Sequence, residues 1–295
     1  MCRQIEVEVM DYADMLNQSD WIRDYNEGKT RLHTKNPIEV NREYDLEKWN
    51  QVIQILKKER NLTDLFKLEE RLYGKEIFEG YTESDGFVIR DSSWFTRKQI
   101  ELYLSVLNSY IYEGCKILEL GAGYGHIIFR LMKYVDMKDL SFAAGEYAFN
   151  GIRSMRLLAE RMGLVIDLGK CDFFSCYADE KLKKCNNGIL FTSYALMYVP
   201  ELRDDFINYL LSFDVEYGIH FEPCYEYYDK NTEHGRMCRK YTEINDYNRN
   251  LVSVIKQAET EGYIKILECK LNVFGENFLC PISVIVWKRM REGKT

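Results

Sequence analysis

Apolar positions in this chain follow two different rhythms. From about residue 114 onward, short apolar runs alternate with amphipathic segments, the pattern of strands and helices in an α/β sheet. Residues 115–120, Cys-Lys-Ile-Leu-Glu-Leu, predict a strand ending in a glycine-rich turn, and Ile127, Ile128, Leu131 and Met132 give residues 126–134 helical spacing. Further strands are predicted at 140–145, 164–168, 188–192 and 217–221. A helix follows the second strand and stops at Gly163, and Pro200 is read as opening the helix behind the fourth. One more helix is expected over roughly 245–261, ending at Gly262. The last strands, 264–273 and 282–288, are joined by Gly-Glu-Asn-Phe-Leu-Cys-Pro, too short for a helix, so they should pair antiparallel. Five parallel strands and a closing hairpin are the expected topology.

Residues 1–98 read differently. Leu46, Trp49, Val52, Ile53 and Leu56 give 44–58 a helical period, and 62–72 repeats it with Thr63 and Asp64 as capping candidates. An irregular stretch spans 80–94, and a helix over 96–110 leads into the first strand. The expectation is a helical N-terminal subdomain over 1–98, a candidate lid, ahead of a sheet domain over 99–295. No repeat or proline-rich linker separates them, so they should pack tightly.

Composition narrows the function classes. The chain is 46% hydrophobic and 29% charged, which suits a soluble globular protein with a sizeable core. No apolar run reaches the roughly 20 residues of a bilayer span, and residues 1–8 lack the basic start and apolar core of a signal peptide. Nine scattered cysteines without a C-x-x-C pair predict reduced thiols and a cytoplasmic location. Cys171 and Cys176 have no histidines at zinc-ligand spacing, so no metal is expected. A net charge of −7 argues against a nucleic-acid partner, and the basic clusters at 181–184 and 236–240 read as solvated surface.

The strongest chemical signal is Leu118-Glu-Leu-Gly121-Ala-Gly123-Tyr-Gly125 between a strand and a helix. Glycines there let backbone approach a ligand closely. A dinucleotide turn would place its third glycine at 126, which is His126, and the carboxylate of Glu119 would repel a pyrophosphate while suiting an ammonium or sulfonium. Here the chain resembles class I S-adenosylmethionine-dependent methyltransferases, whose E/D-x-G-x-G-x-G motif it matches at Glu119, Gly121, Gly123 and Gly125. The resemblance covers residues 114–290. It implies an enzyme with a Rossmann-like α/β sheet, parallel except for an antiparallel last strand, and S-adenosylmethionine as cofactor. It places cofactor contacts at the turn, including Ala122, at Glu146 and Tyr147 after the second strand, at Asp172 and Phe173 after the third, and at Ser193 and Tyr194 after the fourth. Glu146 would bind the ribose hydroxyls or else cap the next helix. Asp172 would sit near the adenine amino group or cap a turn, and Phe173 would stack on adenine or join the core. More narrowly, the long N-terminus, Phe221-Glu-Pro, Asn245-Asp-Tyr-Asn-Arg-Asn250 and Pro281-Ile-Ser-Val-Ile-Val-Trp287 are similar to a bacterial subgroup described as sugar O-methyltransferases.

The acceptor is expected beyond the fourth and fifth strands, in a region rich in tyrosines and carboxylates. Tyr198, His220, Glu222, Glu226, Glu243, Asp246 and Tyr247 are the candidate substrate contacts. Carboxylates and aromatic faces suit a cationic acceptor such as free arginine or a related guanidino or amino compound, with Glu222 and Glu226, one helical turn apart, orienting it and taking its proton. The alternative is O-methylation of a sugar or other hydroxyl, with a histidine as base. His234, read as a loop residue after the fifth strand, is the best placed, while His220 reads as a buried core histidine. A non-enzymatic alternative is a cofactor-binding sensor or scaffold.

Overall fold

The computed structural model describes residues 8–74, 77–135 and 139–291, so the reading made of residues 1–7 lies outside them. Its strands are β1 (Glu8–Met10), β2 (Ile77–Thr82), β3 (Gly86–Asp91), β4 (Lys116–Leu120), β5 (Ser141–Glu146), β6 (Asp167–Asp172), β7 (Tyr177–Ala178), β8 (Gly188–Ser193), β9 (Val215–Pro223), β10 (Ile264–Gly275) and β11 (Ile282–Arg289). They form one sheet in the order β1-β3-β2-β10-β11-β9-β8-β4-β5-β6-β7.

The five expected parallel strands are β6, β5, β4, β8 and β9. β11 runs antiparallel to both β9 and β10, so β10 points the same way as the parallel set. That direction delivers the loop at 276–281 to the carboxyl edge of the sheet. The architecture is the expected Rossmann-like α/β sheet. Its central strands are almost wholly apolar because helices cover both faces: Ile117, Leu118 and Leu120 on β4 and Ile189, Leu190 and Phe191 on β8 are all fully buried. Chain order reverses at β4, flanked by β5 and β8, and a crevice opens beyond the carboxyl ends at such a point.

Several boundaries differ from expectation. β6 begins at Asp167 instead of 164, because Val165 is 91% exposed and the apolar run before the strand is a linker. The helix behind β8 is Phe206–Leu211, six residues beyond Pro200. The expected helix over 245–261 is Leu251–Thr260, and a separate helix, Glu233–Ile244, precedes it. That helix is polar overall and buries only Gly235, Cys238 and Thr242, so its sequence does not stand out as an apolar segment.

The N-terminal part is not a purely helical unit. β2 and β3 form a hairpin that extends the main sheet through Thr82 and Tyr81 beside Phe274 and Gly275, and β1 adds to β3. Gly80 interrupts the strand pattern for a packing reason: a Cβ there would lie 2.3 Å from the Phe95 ring. Trp49, Val52, Leu56, Leu65, Val88 and Phe95 share one buried cluster with Ile117, Ile127 and Met155, so both parts of the chain build a common core. The helix expected over 44–58 is a π-helical turn, Arg42–Lys48, continuing as the α-helix Trp49–Lys58. Asp64 does cap the helix Leu65–Tyr73, accepting from the N–H groups of Phe66 and Lys67.

Candidate functional site

The turn after β4 is fastened to β5, with the Gly121 and Ala122 N–H groups donating to the Gly145 carbonyl at 2.8 and 3.0 Å. Gly121, Gly123 and Gly125 all have left-handed backbone, with φ of 78°, 58° and 86°. Their immediate neighbours are protein atoms. A Cβ at Gly121 would lie 2.3 Å from the Ala195 Cβ, at Gly123 2.9 Å from the Trp49 ring, and at Gly125 2.6 Å from the Phe129 ring. The three glycines therefore answer to packing and backbone angle as well as to any ligand.

Two carboxylates brace this turn. Glu146, at the end of β5, accepts the Gly123 N–H at 2.7 Å on one oxygen and the Ala148 N–H at 2.8 Å on the other. Each oxygen retains acceptor capacity. Burial raises its pKa. Glu119 is also buried and accepts the Ile128 N–H at 3.0 Å. Burial, opposed by that hydrogen bond and aided by the nearby Glu146, pushes the Glu119 carboxyl up to about 8.

A cavity of about 490 Å³ opens beyond the carboxyl ends of the strands. Glu119, Gly121, Ala122, Gly123, Glu146, Tyr147, Phe173, Ser193 and Tyr194 all line it. Gly125 and Asp172 do not. Gly125 is the N-cap of the helix His126–Tyr134. Asp172 closes a turn, accepting from the N–H groups of Phe174 and Ser175 and from the Ser175 hydroxyl. Tyr194 lies just past β8 in the left-handed region, φ 48°, an uncommon angle for a tyrosine that cavity walls can impose.

The acceptor residues picked from sequence fare differently. Tyr198 and Tyr247 line the cavity, but Lys35 from the N-terminal segment already sits over both rings, 5.5 and 5.8 Å from their centroids. Glu222 and Glu226 do not form a pair and line no part of the cavity. Glu222 is on a strand, where alternation rather than helical spacing sets direction. It is fully buried and accepts the Ala195 and Leu196 N–H groups, and burial pushes it up to about 7. Glu226 accepts the Val252 and Ser253 N–H groups at the start of the helix Leu251–Thr260. Glu243 meets the Tyr225 hydroxyl and Lys240, and Asp246 meets the Lys35 N–H and Arg249.

One histidine is corrected too. His234 lies in the first turn of the helix Glu233–Ile244, not in a loop, and its Nε2 bonds the Phe278 carbonyl at 2.6 Å. A carbonyl only accepts, so Nε2 carries the proton and the ring fastens the 276–281 loop. His220 is wholly buried. It accepts from the Trp287 indole at Nε2, which leaves its Nδ1 proton for the Thr192 hydroxyl, and burial pushes its pKa down to about 3. His126 does line the cavity, neutral by burial and, among the described residues, with no hydrogen-bond partner at Nδ1.

Two stretches contribute cavity residues that sequence reasoning missed. The N-terminal segment contributes Tyr44, Lys48 and Trp49, and the loop between β10 and β11 contributes Glu276, Asn277 and Cys280. The loop was findable: a closing hairpin whose first strand runs with the parallel set must turn at the carboxyl edge.

No protein-family model matches the chain, and no curated protein matches it. Among solved structures, it is similar to the small RNA methyltransferase HEN1, with a TM-score of 0.48 and 11% identity over 69% of this chain; it spans only 26% of that one. It is similar also to a SAM-dependent methyltransferase from Aquifex aeolicus, with a TM-score of 0.43 and 14% identity over 65% of this chain and 98% of that chain. A third is magnesium protoporphyrin IX methyltransferase from Synechocystis PCC 6803 with bound SAH, with a TM-score of 0.46 and 10% identity over 65% of this chain and 83% of that chain.

Proposed function

We propose that this chain is an S-adenosylmethionine-dependent methyltransferase acting on a small polar acceptor. The observation that carries the reading is the placement of Glu146. Its carboxylate stands at the carboxyl end of β5 beside the glycine turn, lines the cavity, and keeps acceptor capacity on both oxygens. Vicinal hydroxyls of a ribose are the donors such a carboxylate suits. Glu119 adds a second acid close to the same turn, which favours a positively charged ligand over a pyrophosphate. A cavity near 490 Å³ is of the size that takes small molecules.

When bound, S-adenosylmethionine supplies an electrophilic methyl group on a sulfonium. The protein's part is to bind, align and exclude water. Glu146 and the turn would hold the nucleoside half, with Tyr147 and Phe173 offering aromatic walls. The acceptor would occupy the side of the cavity lined by Tyr194 and the 276–281 loop. A segment from Lys35 to Trp49 crosses the site, which supports an acceptor small enough to be enclosed.

Calorimetric titration with S-adenosylmethionine and, separately, with NAD tests this reading. The wild type should bind the first and not the second, and Glu146→Gln should weaken binding by about 1–3 kcal/mol. Binding of NAD alone, or unchanged affinity in the variant, would remove the basis for the assignment.

A further inference from the structure

Three carboxylates among the described residues line the cavity: Glu119, Glu146 and Glu276. The first two accept backbone N–H groups of the glycine turn and the elements beside it. Glu276 differs. Among the described residues, no hydrogen bond or ion pair reaches its carboxylate, although it faces a cavity whose walls are largely aromatic. Resting on the methyltransferase reading above, we propose that Glu276 is the anchor for a protonated amine on the acceptor and the group that takes its proton.

The chain's own cations are engaged elsewhere. Arg130 is paired with Glu69 at 2.6 Å and lies against the Phe66 ring. Lys48 bonds Glu43 and the Tyr44 hydroxyl. Lys35 is paired with Glu43 over the Tyr198 and Tyr247 rings. None of these three cations is bonded to Glu276, and an ammonium on a ligand would satisfy both the carboxylate and the neighbouring tyrosine faces. Burial, with Glu69 adding to it and Arg130 opposing, pushes the Glu276 carboxyl up to about 7, which suits proton acceptance near neutrality.

The loop that carries Glu276 is held rigidly. The His234 imidazole bonds the Phe278 carbonyl, the Phe278 N–H donates to the Glu79 carbonyl at 2.9 Å, and the Asn277 side chain accepts the Leu279 N–H at 2.8 Å. Phe278 and Leu279 are buried beneath it. A side chain on so fixed a support can be positioned for a ligand. The step assigned to it is a single proton transfer: the acceptor ammonium gives one proton to the ionised carboxylate, leaving a neutral amine with a free electron pair and a neutral carboxylic acid.

The test uses the full chain in wild-type, Glu276→Gln and Glu276→Asp forms, first titrated with S-adenosylmethionine. Each is then saturated with S-adenosylhomocysteine and titrated with ethanolamine, arginine, glucose and glycerol, and all four probes are assayed with methyl-labelled cofactor. The proposal expects an amine to bind and be methylated, and Glu276→Gln to lose about thirty-fold or more in kcat/KM. Cofactor affinity and melting temperature should hold, and the aspartate should recover part of the amine binding. Glutamine retaining the amine rate overturns the proposal. So does turnover confined to glucose or glycerol with Glu276→Gln active and His126→Ala inactive. Wild-type protein that binds the cofactor but none of the amines refutes the anchor alone, whereas failure to bind the cofactor refutes the function on which it rests.

Discussion

Glu119 illustrates how one residue ties sequence motif to measurable chemistry. Its pKa of about 8 means that roughly nine in ten copies are protonated at pH 7 without ligand. A sulfonium or ammonium brought near it favours the ionised form, so binding should expel a proton. The sign follows: affinity for S-adenosylmethionine should rise with pH from about 6 to 8 and level off above. Titration at pH 7 in buffers of different ionisation enthalpy should show close to one proton released, and Glu119→Gln should remove most of it. No buffer dependence would mean that the cation does not approach this acid. The same residue scale shows what sequence could convey about the site. Most of the cavity positions beside the glycine turn were legible because a motif and a strand end mark them. The acceptor side was not, because Glu222, Glu226, Glu243 and Asp246 look equally available in sequence, and only folding shows that backbone N–H groups and neighbouring side chains occupy them.

At the scale of elements, the segment running through residues 33–49 behaves as a strap across the site. On one side the His33 and Lys35 N–H groups bond Ile244 and Asp246, and on the other Tyr147 bonds the Pro37 carbonyl and Asp45 accepts the Asn150 N–H at 2.5 Å. Asp45 caps the helix Phe149–Met162 from a distant part of the chain, because the residue at its N-cap is Ala148. The π-helical turn between these ties turns Tyr44 and Lys48 toward the cavity and leads into Trp49 beside Gly123. Asp45→Ala should therefore free the strap, costing about 1–2 kcal/mol in stability and lowering turnover several-fold more than cofactor affinity. Hydrogen exchange across 36–48 should quicken. Unchanged exchange and unchanged turnover would leave the strap without a role in catalysis. Periodicity revealed the helix into which the strap leads, and neither its own short helix Pro37–Asn41 nor the ties, which are single hydrogen bonds between residues far apart in sequence. Nor did it reveal β2 and β3, whose alternation is broken by Gly80, or the mostly polar helix Glu233–Ile244.

The whole molecule places several carboxyl groups in a largely apolar interior, and that has a consequence for stability. The parallel order of five strands and the closing hairpin were legible because fully buried strands must be apolar, but which strands become neighbours depends on packing across the entire sheet. Buried at its centre or around its cavity, Glu119, Glu222 and Glu276 have pKa values raised to about 8, 7 and 7 from 4.5. Between pH 4.5 and 8 the native state holds more protons than the unfolded chain at these sites. Their contribution is thus full below about pH 4.5 and is lost as pH rises through 7 to 8, at up to roughly 1.4 kcal/mol per pH unit for each group. The ligand-free protein should melt at progressively lower temperature from pH 5.5 to 8, and Glu222→Gln should flatten that fall. A cationic ligand offsets part of the loss by pairing with ionised Glu119, so the rise in melting temperature given by saturating S-adenosylmethionine should be larger at pH 8 than at pH 6. Thermal melts at both values, with and without ligand, decide the matter. An equal increment at the two pH values would show that the ligand's charge is not met by Glu119.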